Sequence, residues 1–203
     1  MSVLASDSFD RADEAPLASP WGSRNVAGDL AFNLTGNKAV RNADLDAREY
    51  YDGGVTWPND QYSQSQLTVT GTTGGGSGIG LSLRGATGAT TFYRFAIDHA
   101  ASNNWDLSLL TAGALFGLAT GTQAFSDGAT FKFRIIGGAL DVSINGGAPF
   151  ASATDFNIAS GKPGLAYSSS ETSASVDVWE GGDNSVTLQQ QPIASLWLPL
   201  VAA

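Results

Sequence analysis

Residues 130–149, TFKFRIIGGALDVSINGGAP, carry the clearest alternation in the chain. With Gly137 and Gly138 as a two-residue turn, Ile135 faces Leu140, Phe133 faces Val142 and Phe131 faces Ile144, while Arg134 meets Asp141 on the opposite side. A double glycine supplies the positive φ that tight hairpin turns need. A slip of one residue would turn every apolar side chain into water, so the register is set by the pattern itself. A hairpin that is apolar on one face needs a facing layer, and the rest of the chain must supply it.

The same period of two recurs along the sequence. Leu30, Phe32 and Leu34 alternate with polar neighbours and lead through Thr35-Gly36-Asn37-Lys38 to Val40, a second hairpin. In NADLDAREYY, 42–51, Leu45, Ala47 and Arg48 tolerate a helix while the tyrosines prefer extended chain, and the stretch reads as strand. Tyr62, Gln64, Gln66, Thr68 and Thr70 share one face of the next strand, a row of amides and hydroxyls, with Ser63, Ser65, Leu67 and Val69 on the other. GTTGGGSGIG, 71–80, lacks the Lys-Ser/Thr ending of a phosphate loop and reads as a long hairpin connection. Ile79, Leu81 and Leu83 define a further strand. Tyr93, Phe95, Ile97 and His99 oppose Phe92, Arg94, Ala96 and Asp98 on a strand apolar on both sides, hence central. Trp105, Leu107 and Leu109, then residues 115–118 and Phe125, continue the meander. Beyond the first hairpin, Asp155, Phe156 and Ile158 lead to a strand with Leu165 and Tyr167, and 173–181 forms the last one. The pattern predicts an all-β, two-sheet antiparallel sandwich.

Composition narrows the function. The 203 residues include 25 Gly, with 42% hydrophobic and 14% charged side chains, which suits one large β domain. A net charge of −9 with ten Lys and Arg, none of them clustered, argues against a nucleic-acid partner. Absence of cysteine removes disulfides, thiolate metal sites and cysteine nucleophiles. The opening MSVLASDSFD has neither a basic region nor a sustained apolar run, so no secretion signal is expected and synthesis in a host cytoplasm is.

Three short motifs carry a resemblance. DSFDRAD at 7–13, followed by Pro-Leu and Trp-Gly steps, SGKPGLAY at 160–167 and VDVWEGGD at 176–183 together resemble the concanavalin A-like lectin/glucanase jelly rolls found in bacteriophage and bacterial surface proteins. The resemblance covers roughly residues 7–183, and implies a jelly-roll domain over 1–183 followed by an extended arm over 184–203.

Candidate chemistry follows. Trp57, in a loop broken by Pro58, either stacks on a sugar ring or folds back to cap the core. With it, Tyr62, Gln64, Gln66 and Trp105 are the candidate glycan-binding residues. The only histidine, His99, ends a strand with no partner for acid-base work in sight. Asp98, Asn103, Asn104 and Asp106 could offer oxygens to calcium, as the metal loops of some lectins of the superfamily do. Their spacing lacks acidic density and fits a plain polar turn, so neither metal nor cofactor is expected. Retaining glycosidases of the superfamily carry two glutamates around an aspartate on one strand, and no such run exists here. Beyond Glu14 the glutamates are Glu49, Glu171 and Glu180, and plain alternation would set Asp177 and Glu180 on opposite faces. The expectation is a protein that is not an enzyme.

The end of the chain, NSVTLQQQPIASLWLPLVAA, is too apolar at Ile193, Leu196, Trp197, Leu198, Leu200 and Val201 to lie free in water. From Pro192 it is too short to span a bilayer as a helix and Pro199 interrupts it. Its partner is therefore protein, either its own domain or a neighbouring subunit. Together with the resemblance, this predicts a structural protein of a multi-subunit assembly, such as a bacteriophage capsid decoration or tail component on the virion surface. The alternative is a carbohydrate-binding, lectin-like module.

Overall fold

The computed structural model describes residues 1–23, 32–40, 47–69, 78–86, 91–98, 103–167 and 174–185. Fifteen strands and no helix occur among them. In chain order these are β1 Ser2–Asp7, β2 Trp21–Ser23, β3 Asn33–Thr35, β4 Lys38–Val40, β5 Ala47–Tyr51, β6 Gln61–Val69, β7 Ile79–Gly85 and β8 Phe92–Asp98. There follow β9 Asn104–Thr111, β10 Ala114–Thr122, β11 Ala129–Ile136, β12 Ala139–Ile144, β13 Ala151–Thr154, β14 Lys162–Tyr167 and β15 Ala174–Asp183. One sheet runs β13-β12-β11-β6-β15-β4-β3, with β1 also paired to β15, and the other runs β10-β9-β8-β7-β14-β5-β2. The two sheets pack as a sandwich, the concanavalin A-like jelly roll.

The central hairpin, β11 and β12, forms in the register its alternation predicts: Ile135 opposite Leu140, Phe133 opposite Val142, Phe131 opposite Ile144 and Arg134 opposite Asp141. Its apolar row meets the facing sheet, where the Phe95 ring centroid lies 5.7 Å from Phe131 and 6.4 Å from Phe133. Ile79, Leu81, Leu83, Ile97, Leu107 and Leu165 complete that inner face, all fully or almost fully buried. Gly36 and Asn37 turn β3 into β4 with φ of 57° and 62°, so the second expected hairpin is present as well.

Two features depart from the expected pattern. β6 and β7, which flank residues 71–80, belong to opposite sheets and do not pair as the expected hairpin, while residues 71–77 themselves lie outside the described residues. A repeating run of glycine records a break between strands without saying whether the chain turns back or crosses over. In β15 the register shifts between Val176 and Val178 against β6. This bulge adds one residue and reverses the phase, so Asp177, which bonds Lys38 at 2.9 Å and receives the Thr68 hydroxyl at 3.4 Å, lies on the outer face with Val178 and Glu180. Asp177 and Glu180 are therefore not on opposite faces. The inner face of β6 carries Ser63, Ser65 and Leu67 together, as the alternation assigns them, and Gln61 is buried with them.

Those polar groups stitch the sheets together. The Trp179 indole N–H donates to Ser63 Oγ at 2.8 Å, and the Ser63 hydroxyl donates to the Gly164 carbonyl of the opposite sheet at 2.8 Å. Gln61 Nε2 donates to the carbonyls of Pro58 and Gly161, and Gln61 Oε1 accepts the Arg84 amide. The arm residues Ile193, Leu196, Trp197, Leu198, Leu200 and Val201, together with His99, Leu30, Thr70 and residues 42–46, lie outside the described residues.

Ser63→Ala takes the acceptor from the buried Trp179 indole N–H and one donor from the Gly164 carbonyl, and is expected to lower stability by about 1–3 kcal/mol. A urea titration checks this: the midpoint should fall at an unchanged m-value.

Candidate functional site

Arg84, the penultimate residue of β7, takes a left-handed φ of 50° and turns its side chain into one end of the sandwich, where it is 3% exposed. Its guanidinium donates from Nε to Asn59 O at 3.0 Å, from Nη1 to Ile158 O at 2.7 Å and from Nη2 to Gly137 O at 2.7 Å. The carboxylate of Asp60 stands 3.8 Å away. Burial holds the arginine below its ordinary pKa, opposed by Tyr93 and Asp60. One cation thus gathers the loop before β6, the turn between β11 and β12 and the loop between β13 and β14.

The last of these loops is clamped by Tyr93. Its hydroxyl donates to Asp155 Oδ1 at 2.6 Å and accepts the Ile158 amide at 3.1 Å. Asp155 also accepts the Asn157 amide at 2.8 Å, which closes a tight Asp-led turn around Phe156. With both flanks held, Phe156 stands 76% exposed. Its ring rests on the hairpin turn: a Cβ added at Gly138 would come within 2.3 Å of it. Gly137 adopts φ 58° and donates its amide to Asp60 Oδ1 at 2.7 Å. The double glycine therefore shapes the turn and also seats an exposed aromatic ring beside a carboxylate.

Between these parts lies a depression of about 510 Å³, lined by Phe156 and Pro58 on the apolar side and by Asn59, Asp60, Arg84 and Ser185 on the polar side. An open aromatic face next to carboxylate, amide and guanidinium groups can take a ligand that is apolar on one face and rich in hydroxyls at its edge.

A second, smaller groove of about 220 Å³ runs on the outer face of β6, lined by Gln64, Gln66, Thr130, Val178 and Glu180. Gln66 Nε2 donates to Gly128 O at 2.8 Å. Tyr62 lies at one end of this row, buried, with the Lys132 ammonium 3.6 Å above its ring. Burial raises the Tyr62 pKa, with the Glu180 charge acting in the same direction.

The structure brings Tyr62, Gln64 and Gln66 onto one face and sets Trp57 and Trp105 elsewhere. Trp57 packs edge-on against Tyr51 at 6.4 Å and Trp179 at 6.3 Å, so its ring props the loop whose next residues, Pro58, Asn59 and Asp60, line the larger depression. Trp105 lies 5.9 Å from Phe150 and packs against the core. Asp106 bonds Arg94 at 3.0 Å and Ser108 at 2.8 Å, and Asn103 takes φ 51° with its carbonyl accepting the Gln123 amide. The side chain of Asp98 lies outside the described residues. Phe156, Asp60 and Arg84 were not singled out by the sequence pattern. An isolated aromatic between Asp155 and Asn157, outside any alternating run, is the signal that points to Phe156.

No family model matches the chain, and no curated protein matches it in sequence. Solved structures do match in fold. The carbohydrate binding module CBM66 from Bacillus subtilis has a TM-score of 0.60 at 20% identity over 79% of this chain and 95% of that one. The lumenal domain of VIP36, in a form bound to Ca2+ and Man3GlcNAc, gives 0.56 at 14% identity over 86% and 89%. The GH43 protein BlXynB from Bacillus licheniformis gives 0.59 at 13% identity over 87% of this chain, which spans 38% of that protein. The fold shared with them is the concanavalin A-like jelly roll.

Arg84→Met removes the donor to the buried carbonyl of Ile158 and to the part-buried bonds at Asn59 and Gly137, and is expected to destabilise the chain by about 2 kcal/mol or more, read from its unfolding midpoint in urea. The pH dependence is directional. Burial first, and the bond to Asp155 second, push the Tyr93 pKa up to about 12. This contribution is complete below the ordinary tyrosine pKa of about 10 and is lost as pH rises toward 12. Melting temperatures measured from pH 9 to 12 should fall in that window, and Tyr93→Phe should make the fall shallower.

Proposed function

We propose that the chain is a non-enzymatic carbohydrate-binding, lectin-like module that holds a sugar in the depression between Phe156 and Asp60. The observation that carries this reading is Phe156, a 76% exposed ring fixed on the Gly138 turn beside a carboxylate. Sugar rings present an apolar face of C–H groups and a rim of hydroxyls, and this pairing of aromatic and acceptor suits both. The volume of about 510 Å³ is within the usual range for small-molecule sites. The fold supports the reading, since a carbohydrate binding module and a lectin-type domain solved with an oligosaccharide share it. Glycoside hydrolysis uses two carboxyl groups across the bond, whereas Asp60 is the one carboxylate among the residues lining this depression. The groove along Gln64 and Gln66 offers amides to a neighbouring part of the same glycan.

Membership of a virion or another multi-subunit particle is compatible with this module, and rests on the apolar run from Ile193 to Val201. A particle-surface lectin would combine both roles.

A glycan array probed with the full-length chain, followed by calorimetry on the best ligand, tests the proposal. Saturable binding is expected, with Phe156→Ala weakening it by about tenfold or more at unchanged melting temperature. No saturable glycan, or affinity indifferent to Phe156 and Asp60, overturns the site assignment.

A further inference from the structure

The edges of the two sheets are unequal. β13, β3 and β2 end their sheets with four, three and three residues, and β1 has six with a register shift between Val3 and Ala5. Short or irregular edges protect a β protein from pairing with its neighbours. β10 is the exception: it runs nine residues, ALFGLATGT, with β9 on one side and no described strand on the other. It contains no charge and no proline, the two residue classes that most often guard an edge. Its register shifts between Gly117 and Ala119, so the half from Ala114 to Gly117 keeps a regular ladder. That half carries Leu115 at 51% and Phe116 at 52% exposure, one on each face of the strand.

We infer that β10 pairs antiparallel with β10 of a second copy about a two-fold axis, joining two seven-stranded sheets into one continuous sheet. Length argues for this occupant. Among the described residues, only another β10 offers a free edge of nine residues, while pairing onto β2 would satisfy three and leave the rest bare. Charge argues the same way: in a chain of net charge −9, an uncharged strip is where two copies approach without facing carboxylates. An isologous contact also closes on itself, which a strand adding to a dissimilar edge does not. Leu115 and Phe116 from each copy would cover the two sides of the new ladder.

The test is sedimentation velocity on the full-length chain over a wide concentration range, beside Gly117→Lys and Phe116→Lys. Nothing lies within 4 Å of a Cβ at Gly117, so the first variant adds a charge to the edge without disturbing the fold. A reversible monomer-dimer equilibrium is expected, weakened about tenfold or more in both variants while their melting temperatures stay unchanged. Hydrogen exchange on the natural chain gives an independent reading: amides of 114–117 should slow as concentration rises. A chain that stays monomeric up to millimolar concentration overturns the inference. So does a dimer that both lysine variants leave intact, or one whose formation leaves exchange at 114–117 unchanged.

Discussion

The guanidinium of Arg84 is the contact on which this end of the molecule depends. A cation removed from water is tolerable only if its donors are satisfied, and here they are satisfied mainly by main-chain carbonyls. Those carbonyls belong to segments far apart in the chain, at Asn59, Gly137 and Ile158. The Asp60 carboxylate joins them, accepting the Gly137 amide and standing 3.8 Å from the guanidinium, so it braces the depression that it also lines. The polar inner face of β6 extends the same logic into the core, where Gln61 and Ser63 join sheets that apolar packing alone would let slide.

The central hairpin serves two purposes through one pair of residues. Gly137 supplies the positive φ of the turn and an amide for Asp60, while Gly138 leaves room for the ring of Phe156. An alanine at the second position would still permit a hairpin and would displace the ring. Fold and site therefore constrain the same dipeptide for different reasons, one conformational and one steric.

Proteins sharing this jelly roll at 10–20% identity have in common the layering of two antiparallel sheets, and sequence similarity at that level speaks for architecture rather than for ligand. What distinguishes one such domain from another is held in its loops and edges. In this chain loops meet at Arg84, and among the described strands β10 is the longest at a sheet edge.

Alternation of side chains by itself determined the register of the central hairpin and the shared face of Tyr62, Gln64 and Gln66, because a period of two assigns every residue to a face. It could not assign faces past an irregularity, and the bulge at Asp177 reversed the phase of the strand on which the acidic residues lie. Nor could it tell that the strands on either side of the glycine-rich stretch 71–80 belong to opposite sheets, since glycine marks a break between strands whichever sheet comes next. Trp57 illustrates a third limit: burial of a large ring in a loop depends on neighbours such as Tyr51 and Trp179 that only folding brings near. Tertiary structure alone placed Phe156 on Gly138, and Asn59 and Asp60 beside Arg84, because these contacts join residues with no shared period and no local spacing. Local sequence encodes which way a side chain points; which loops meet is decided by how the two sheets close over their core.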